Sequence, residues 1–295
     1  MKICVFGLWH LGLVTAACLA DKGFNVVGLD QNKIEIEKLN KGIIPLEEPN
    51  LKELTLKGIR NKKLSFTDSI CDAMRNTEIL WITIDTPVDK NDIADTNYVM
   101  CETINTFPYI SSGTTILISS QLPVGSTLQL QEIFELEHTD KSDVNFAYSP
   151  ENLRHGRAIE IFNNPGRIIV GAKDENNMSL KILLRTICQN TIYMSLESAE
   201  MVKHTLNAFL ATEIAFINEI SLICEKTGAN IKDVEKGLMS DSRIGDKGFL
   251  KAGKHYTGGT LGRDVEYLHQ MSNSLDLKSS LIRAISESNY NHKKY

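Results

Sequence analysis

The sequence predicts an α/β fold: a doubly wound, mainly parallel sheet followed by a long central helix and a small helical domain. Three observations predict it. Short apolar segments alternate with helical patterns through the first 196 residues, the order that builds parallel sheets from strand–helix–strand units. The first strand-to-helix junction carries glycines at the spacing of a tight turn,. Finally, Glu197 to Lys226 runs about 30 residues without Pro or Gly and with a wide apolar stripe, which a long packed helix requires.

The segments "KICVF", "NVVGL", "KLSFT", "EILWITI", "TTILISS" and "VNFAYS" read as strands, short and rich in β-branched or aromatic residues,. Between them "TAACLADKG", "KIEIEKLNKG" and "LQLQEIFELE" read as helices. "RIIVGA" and "TIYMSL", flanking the helical "NNMSLKILLRTICQ", extend the sheet toward residue 196. Beyond the long segment, Gly228 is a stop signal,. Shorter helices follow at "IKDVEKGLMS", "DVEYLHQMS" and "SSLIRAISESN", and the polar tail "NYNHKKY" reads as frayed,. The boundary expected from this pattern divides the chain into 1–196 and 197–295.

Composition narrows the function classes. Hydrophobic residues make up 42% and charged residues 23%, an ordinary soluble balance,. The formal net charge of -5, with Lys and Arg dispersed, gives no electrostatic case for nucleic acid or an anionic membrane,. No apolar run approaches the roughly 20 residues of a membrane span, and "MKICVFG" leads directly into a strand rather than a signal peptide,. The six cysteines show no CxxC or Cys/His spacing and most sit among apolar residues. Buried free thiols, no disulfide, no metal and a cytoplasmic location are therefore expected.

The first junction, "CVFGLWHLGLVTAACLADKGFNVVGLD", places Gly7 and Gly12 at the first and third positions of a dinucleotide-binding G-x-G-x-x-G,. Asp30 ends the next strand, 18 residues after Gly12, where a carboxylate hydrogen-bonds an adenosine ribose and repels a 2′-phosphate,. A Rossmann-type domain selecting NAD is the expectation, with Gly7, Trp9, His10, Leu11, Gly12 and Asp30 at the cofactor. Trp9 occupies the middle position, which normally lacks a side chain so that backbone approaches the pyrophosphate. The competing reading is a retained scaffold whose cleft is partly filled by the Trp9 indole.

Further candidates sit at predicted strand ends. Ligands of open α/β sheets bind at the carboxyl edge, so Thr86 and Pro87 in "ITIDTPVD", and Ser120 and Gln121 in "SSQLPVGST", are candidate cofactor contacts. "YSPENLRHGRAIEIFNNPGRIIVG" gathers Glu151, Arg154, His155, Arg157 and Arg167; either it is a solvated charged loop or Glu151 works as a general base. Lys203 and Asn207, four residues apart, share a helix face, which by spacing alone is a surface pair. "HYTGGTLGRDVEYL" offers a glycine turn, Thr260 and a helix start at Asp264.

Together these segments resemble the UDP-glucose/GDP-mannose dehydrogenase family of nucleotide-sugar dehydrogenases. The likeness runs through "GIIPLEEPNL", "DTPVD", "LPVGST", "SPENLRHGRAIEIFNNPGRIIVG", "AEMVKHTLNAFLATEIAFINEISLICEKTGANI" and "SRIGDKGFLKAGKHYTGGTLGRD". It implies an N-terminal NAD domain, a central dimerising helix over 197–226, a C-terminal domain that helps enclose the nucleotide sugar, and a role in polysaccharide biosynthesis. It further implies that Glu151 serves acid/base and hydrolytic work, that Asn152, Leu153 and Arg154 line the sugar and diphosphate, and that Lys203 and Asn207 stabilise alkoxide charge. Asp264 matches an aspartate that orients water or acts as base; Phe249, Gly253 and Gly258 match substrate-contact loops.

Family members oxidise a primary alcohol twice, the second stage through a cysteine thiolate. Here "TGGTLGRD" places Thr260 at that cysteine, Gln121 stands where a threonine is common, and the chain stops near the start of the expected C-terminal domain. A thiol ionises appreciably near neutral pH and an aliphatic hydroxyl does not. The expectation is thus an NAD-dependent oxidoreductase of a nucleotide sugar, limited to a single two-electron alcohol oxidation. The alternative is a non-catalytic or regulatory nucleotide-binding homologue, or a fragment of a longer protein.

Overall fold

The computed structural model describes residues 1–87, 94–151 and 153–294. Chain contacts divide it into two compact units, Met1–Pro87 with Asp95–Glu200, and Val88–Ala94 with Met201–Tyr295. In the first unit β1 (Lys2–Phe6), α1 (His10–Asp21) and β2 (Asn25–Leu29) form the opening strand–helix–strand. Then come α2 (Lys33–Asn40), α3 (Leu51–Arg60), β3 (Leu64–Thr67), α4 (Ile70–Met74), β4 (Ile79–Ile82), α5 (Thr96–Ile104) and β5 (Thr115–Ile118). The unit continues through α6 (Ser126–Glu137), β6 (Asn145–Tyr148), α7 (Ala158–Asn163), β7 (Ile168–Ala172), α8 (Met178–Ile187) and β8 (Thr191–Met194).

The eight strands are ordered β3-β2-β1-β4-β5-β6-β7-β8. The first six are parallel, with Val5 opposite Gly28 and Trp81 opposite Leu117. That order reverses between β1 and β4, the topological switch point where such sheets bind ligands. The segment after β6 begins and ends at the same sheet edge, so β7 runs back antiparallel, with Tyr148 opposite Gly171, and β8 follows β7 in parallel. Ile3, Val5, Leu13, Ala17, Leu19, Leu117, Val170 and Leu183 belong to one buried cluster. Elsewhere in the unit Phe107 meets Phe134 edge-on, ring centroids 5.0 Å apart, and Phe134 meets Phe146 at 5.8 Å.

Several helices depart from the sequence pattern. α1 begins at His10, earlier than the apolar run suggested, because the turn glycines feed straight into it. α3 was not expected: its buried face is Leu51, Thr55 and Gly58 rather than a run of large apolar residues. Gly58 admits a close approach, since a Cβ there would lie 3.0 Å from the Leu64 Cβ and 3.3 Å from the Ala20 Cβ.

The second unit begins within α9 (Leu196–Thr227), a helix of 32 residues whose first turn, through Glu200, belongs to the first unit. α10 (Ile231–Ser240), a π-helical turn over Gly258–Gly262, α11 (Arg263–Ser274) and α12 (Ser280–His292) complete it. The expectation of a frayed tail fails here. α12 continues to His292, whose Nε2 lies 2.8 Å from the Gly253 carbonyl, while Asn289 exchanges bonds of 2.9 and 3.0 Å with the Tyr256 backbone. Ala208, Ala211, Ala215, Val265 and Ile285 form its small core.

Two composition-based expectations also need correction. An 18-residue window of α9 has a mean hydropathy of 1.4, so by length and composition this helix could cross a membrane. Unlike a lipid-facing span, it carries Glu200, Lys203, His204, Asn207 and Asn218 as buried side chains,. Among the cysteines only Cys4, Cys18 and Cys224 are buried; Cys188 is partly so, and Cys71 and Cys101 are exposed. Burial pushes the Cys4 and Cys18 thiols up to about 12, which keeps them protonated and unreactive,.

Candidate functional site

The described candidates of the first unit follow the carboxyl ends of the parallel strands: Gly7 to Gly12 after β1, Asp30 after β2, Thr86 and Pro87 after β4, Ser120 and Gln121 after β5, and Glu151 after β6. Gly7 leaves β1 with φ +97°, and a Cβ there would lie 2.6 Å from the Ile84 Cα. At Gly12 a Cβ would fall 1.8 Å from the Gly7 carbonyl oxygen. Both positions are therefore closed to any other residue. Trp9 is different: as the N-cap of α1 it has φ -82°, a conformation open to any L-residue, and its side chain is 52% exposed. The indole does not fill the turn, so the path of the glycine turn survives the substitution.

α1 starts without a side-chain cap and without an acidic residue in its first turn. Its leading amides suit a bound phosphate. Asp30, just beyond β2, accepts the Leu8 amide at 2.8 Å and the Asn32 amide at 3.0 Å. Those bonds aim the carboxylate while leaving acceptor capacity on both oxygens. The Gln31 amide donates to Glu102, whose carboxyl is raised first by burial and then by the Asp30 charge.

The neighbouring loops are laced together. Thr83 Oγ1 donates to the Phe6 and Gly7 carbonyls at 2.9 and 3.0 Å, Ser120 Oγ to Ile84 O at 2.7 Å, and Thr86 Oγ1 to Gln121 O at 2.7 Å. Pro87 closes the same loop. A second relay ties the sheet edge: Trp81 Nε1 donates to Ser119 Oγ at 2.9 Å, Ser119 Oγ to Ser149 O at 2.6 Å, and Ser149 Oγ to Ile169 O at 2.8 Å. After β6, the Leu153 amide donates to Glu151, which folds that carboxylate onto its own turn. Leu153 packs against the core, Arg154 is exposed, and Asn152 lies outside the described residues.

Glu200 holds the start of α6. Its carboxylate accepts the Gly125 amide at 2.6 Å, the Thr127 amide at 2.9 Å and the Thr127 hydroxyl at 2.6 Å. Burial raises its carboxyl above the ordinary value, against the pull of those three bonds.

In the second unit Lys203 and Asn207 are buried, contrary to the surface pair that spacing alone suggests. Asp264, in the first turn of α11, is fully buried; it accepts Asn207 Nδ2 and stands 2.7 Å from His204 Nδ1. An ionised carboxylate only accepts, so His204 Nδ1 carries the proton. His204 had no signal in the sequence: one position from Lys203, it faces Asp264 only because α9 and α11 pack together. Its ring meets Tyr267 edge-on at 5.3 Å. Tyr267, whose buried hydroxyl lacks a partner among the described residues, is pushed up to about 12 by burial.

Thr260 is exposed in the π-helical turn that Gly258 opens, four residues before Asp264. A cavity of about 690 Å³ flanks that turn, lined by residues including Tyr256, Thr257, Gly262, Arg263, Glu266 and Tyr267. The preceding loop is pinned through its backbone. Glu213 accepts the Phe249 amide at 3.1 Å, Glu235 the Ala252 amide at 2.8 Å, and Asn218 the Gly253 amide at 2.9 Å.

A dinucleotide-binding sheet with an acid-ended second strand, joined to a helical unit carrying a buried Lys–Asn–Asp–His set, defines an NAD-binding oxidoreductase scaffold. Residues 1–192 match the NAD binding domain of the UDP-glucose/GDP-mannose dehydrogenase family and residues 197–291 its central domain, so the chain belongs to that family. It is 36% identical over 289 residues to the UDP-glucose 6-dehydrogenase TuaD of Bacillus subtilis, covering 98% of this chain and 62% of TuaD. Against the UDP-glucose 6-dehydrogenase of Rhizobium meliloti the identity is 34% over 301 residues, covering 100% of this chain and 68% of that protein. The structure of a UDP-glucose dehydrogenase from Pyrobaculum islandicum superposes with a TM-score of 0.88 at 30% identity, over 100% of this chain and 68% of that one. The chain thus spans about two thirds or less of these relatives' lengths.

The cofactor of this family domain is NAD. The residues present fit it: Gly7 and Gly12 preserve the turn, α1 offers its uncapped N-terminus, and Asp30 is aimed at the end of β2.

Proposed function

We propose that this chain oxidises the alcohol of a nucleotide sugar, most closely a UDP-sugar, by one two-electron step. The observation that carries the reading is the buried cluster of Lys203, Asn207, His204 and Asp264 next to the turn bearing Thr260. NAD, when bound, supplies the hydride acceptor. Lys203 and Asn207 present an ammonium and an amide donor to the developing alkoxide. Asp264 takes the alcohol proton or orients the water that does, with Asn207 and His204 fixing its carboxylate.

Gly7, Trp9, His10, Leu11, Gly12, Asp30, Thr86, Pro87, Ser120 and Gln121 would hold the cofactor. Glu151, Asn152, Leu153, Arg154, Phe249, Gly253 and Gly258 would contact the substrate. With Thr260 in place of a thiol, no thiohemiacetal forms readily and oxidation ends at the aldehyde. A homodimer through α9 fits the exposed Phe209, Phe216 and Ile223, which recur every seven residues along one face,. We place the protein in the cytoplasm, acting on a soluble sugar nucleotide.

The test is product and NADH stoichiometry with UDP-sugars, for the wild type and Thr260→Cys. One NADH and an aldehyde from the wild type, with a second NADH and an acid from the variant, is the expected pair. Two NADH and an acid from the wild type would refute the single-step reading. The second reading, a non-catalytic nucleotide-binding homologue, is favoured by Trp9 in the cofactor turn. Calorimetric titration with NAD separates the two, because an enzyme must bind it.

A further inference from the structure

We propose that His10, Glu48 and His155 form a binding site for a single divalent cation of the zinc class. The cation would clasp the first βα turn to the loop that follows β6. The three residues come from distant stretches of the first unit, so no ligand spacing appears in the sequence. In the fold their donor atoms all lie within 4.8 Å of one another.

His10 Nε2 stands 3.1 Å from Glu48 Oε2. Ligand bonds of about 2.0–2.1 Å place neighbouring donors of a tetrahedral zinc roughly 3.3–3.4 Å apart. The first two donors therefore already hold nearly the required edge. His155 is exposed in its turn, and a ring nitrogen of it already lies within 4.8 Å of the other two donor atoms.

Glu48 is built as an oriented ligand. Its side chain is 1% exposed, and it accepts the Gly156 amide on Oε2 and the Ala158 amide on Oε1, both at 2.8 Å. A carboxylate offers about four acceptor positions, so a cation replacing the His10 proton leaves both amide bonds in place. Such outer hydrogen bonds fix ligand direction.

The two imidazoles lie with centroids 3.9 Å apart at a tilt of 35°. Rings this close repel when both carry a proton; two neutral rings sharing a cation do not. Two imidazoles and one carboxylate favour zinc, cobalt or nickel over magnesium or calcium, which take oxygen ligands. Three protein donors leave a fourth position for water. The site shares His10 with the proposed cofactor turn, but its test reads cation binding and not the reaction proposed above.

The test uses the whole chain, stripped with chelator and titrated with Co2+ as a spectroscopic probe, then with Zn2+ in competition. One equivalent of Co2+ should give the visible bands of a nitrogen- and oxygen-ligated site, without thiolate charge transfer, and Zn2+ should displace it. His155→Ala, which removes an exposed ring and leaves the Glu48 ties intact, should weaken binding at least about tenfold, as should His10→Ala. Circular dichroism confirms that each variant is folded. Absence of a bound spectrum, a thiolate band from Cys71 or Cys101, or unchanged affinity in His155→Ala would overturn the proposal.

Discussion

Asp264 is where a single substitution tests the geometry of the second unit most directly. Its carboxylate accepts from His204 Nδ1 at 2.7 Å and from Asn207 Nδ2, and all three side chains are buried. Asp264→Ala removes the acceptor of these two described hydrogen bonds. Each loss costs about 1–3 kcal/mol, so the pair costs roughly 2–6 kcal/mol. Of these two bonds Asp264→Asn keeps an acceptor oxygen for His204 and loses the one from Asn207, for about half of that cost. For a unit of about 100 residues each kcal/mol lowers Tm by roughly 4–8 °C. Urea and thermal unfolding of the wild type and both variants, followed by circular dichroism, measure the series. Asp264→Ala should be the least stable and Asp264→Asn intermediate. An alanine variant within about 0.5 kcal/mol of the wild type would mean that the buried hydrogen bonds are not made.

Two further outcomes follow from the first unit. Glu200 has its carboxyl raised above the ordinary value of 4.5 by burial. The folded state therefore holds the proton more tightly than the unfolded chain, so this group adds stability as pH falls into that range and loses it as pH rises through the folded value. In denaturant titrations between pH 7 and pH 5, wild type should gain on Glu200→Gln as the pH is lowered; parallel profiles would contradict the burial argument. At the cofactor turn, Trp9→Gly should tighten NAD binding by up to about tenfold, because ordering one large side chain away from the pyrophosphate costs about 0.5–1.5 kcal/mol. Weaker binding by calorimetry would show instead that the indole itself contacts the dinucleotide.

The geometry of the first βα turn was legible because local rules govern it. Gly7 and Gly12 are fixed by turn geometry and close backbone approach, and Asp30 by its place at a strand end. Thr86, Ser120 and Glu151 follow from strand ends in the same way. The roles proposed for residues of the second unit come from the resemblance alone. Lys203 and Asn207 read by spacing as a surface pair, and nothing distinguished His204 from any helical histidine. α3 escaped because its buried face uses Thr55 and Gly58, whose small size rather than apolarity lets the helix approach β3.

By itself the sequence determined the alternation of strands and helices and the glycine turn, and it set Asp30 after a strand end and Thr260 within a glycine-rich turn. These are properties of residues near one another in the chain, where backbone freedom and side-chain chemistry act directly. Tertiary structure alone decided the reversal of β7, the burial of the Asp264 network, the grip of Glu200 on α6, and the meeting of His10, Glu48 and His155. Each of those joins groups tens to more than a hundred residues apart, and only the packing of whole elements sets the distance between them.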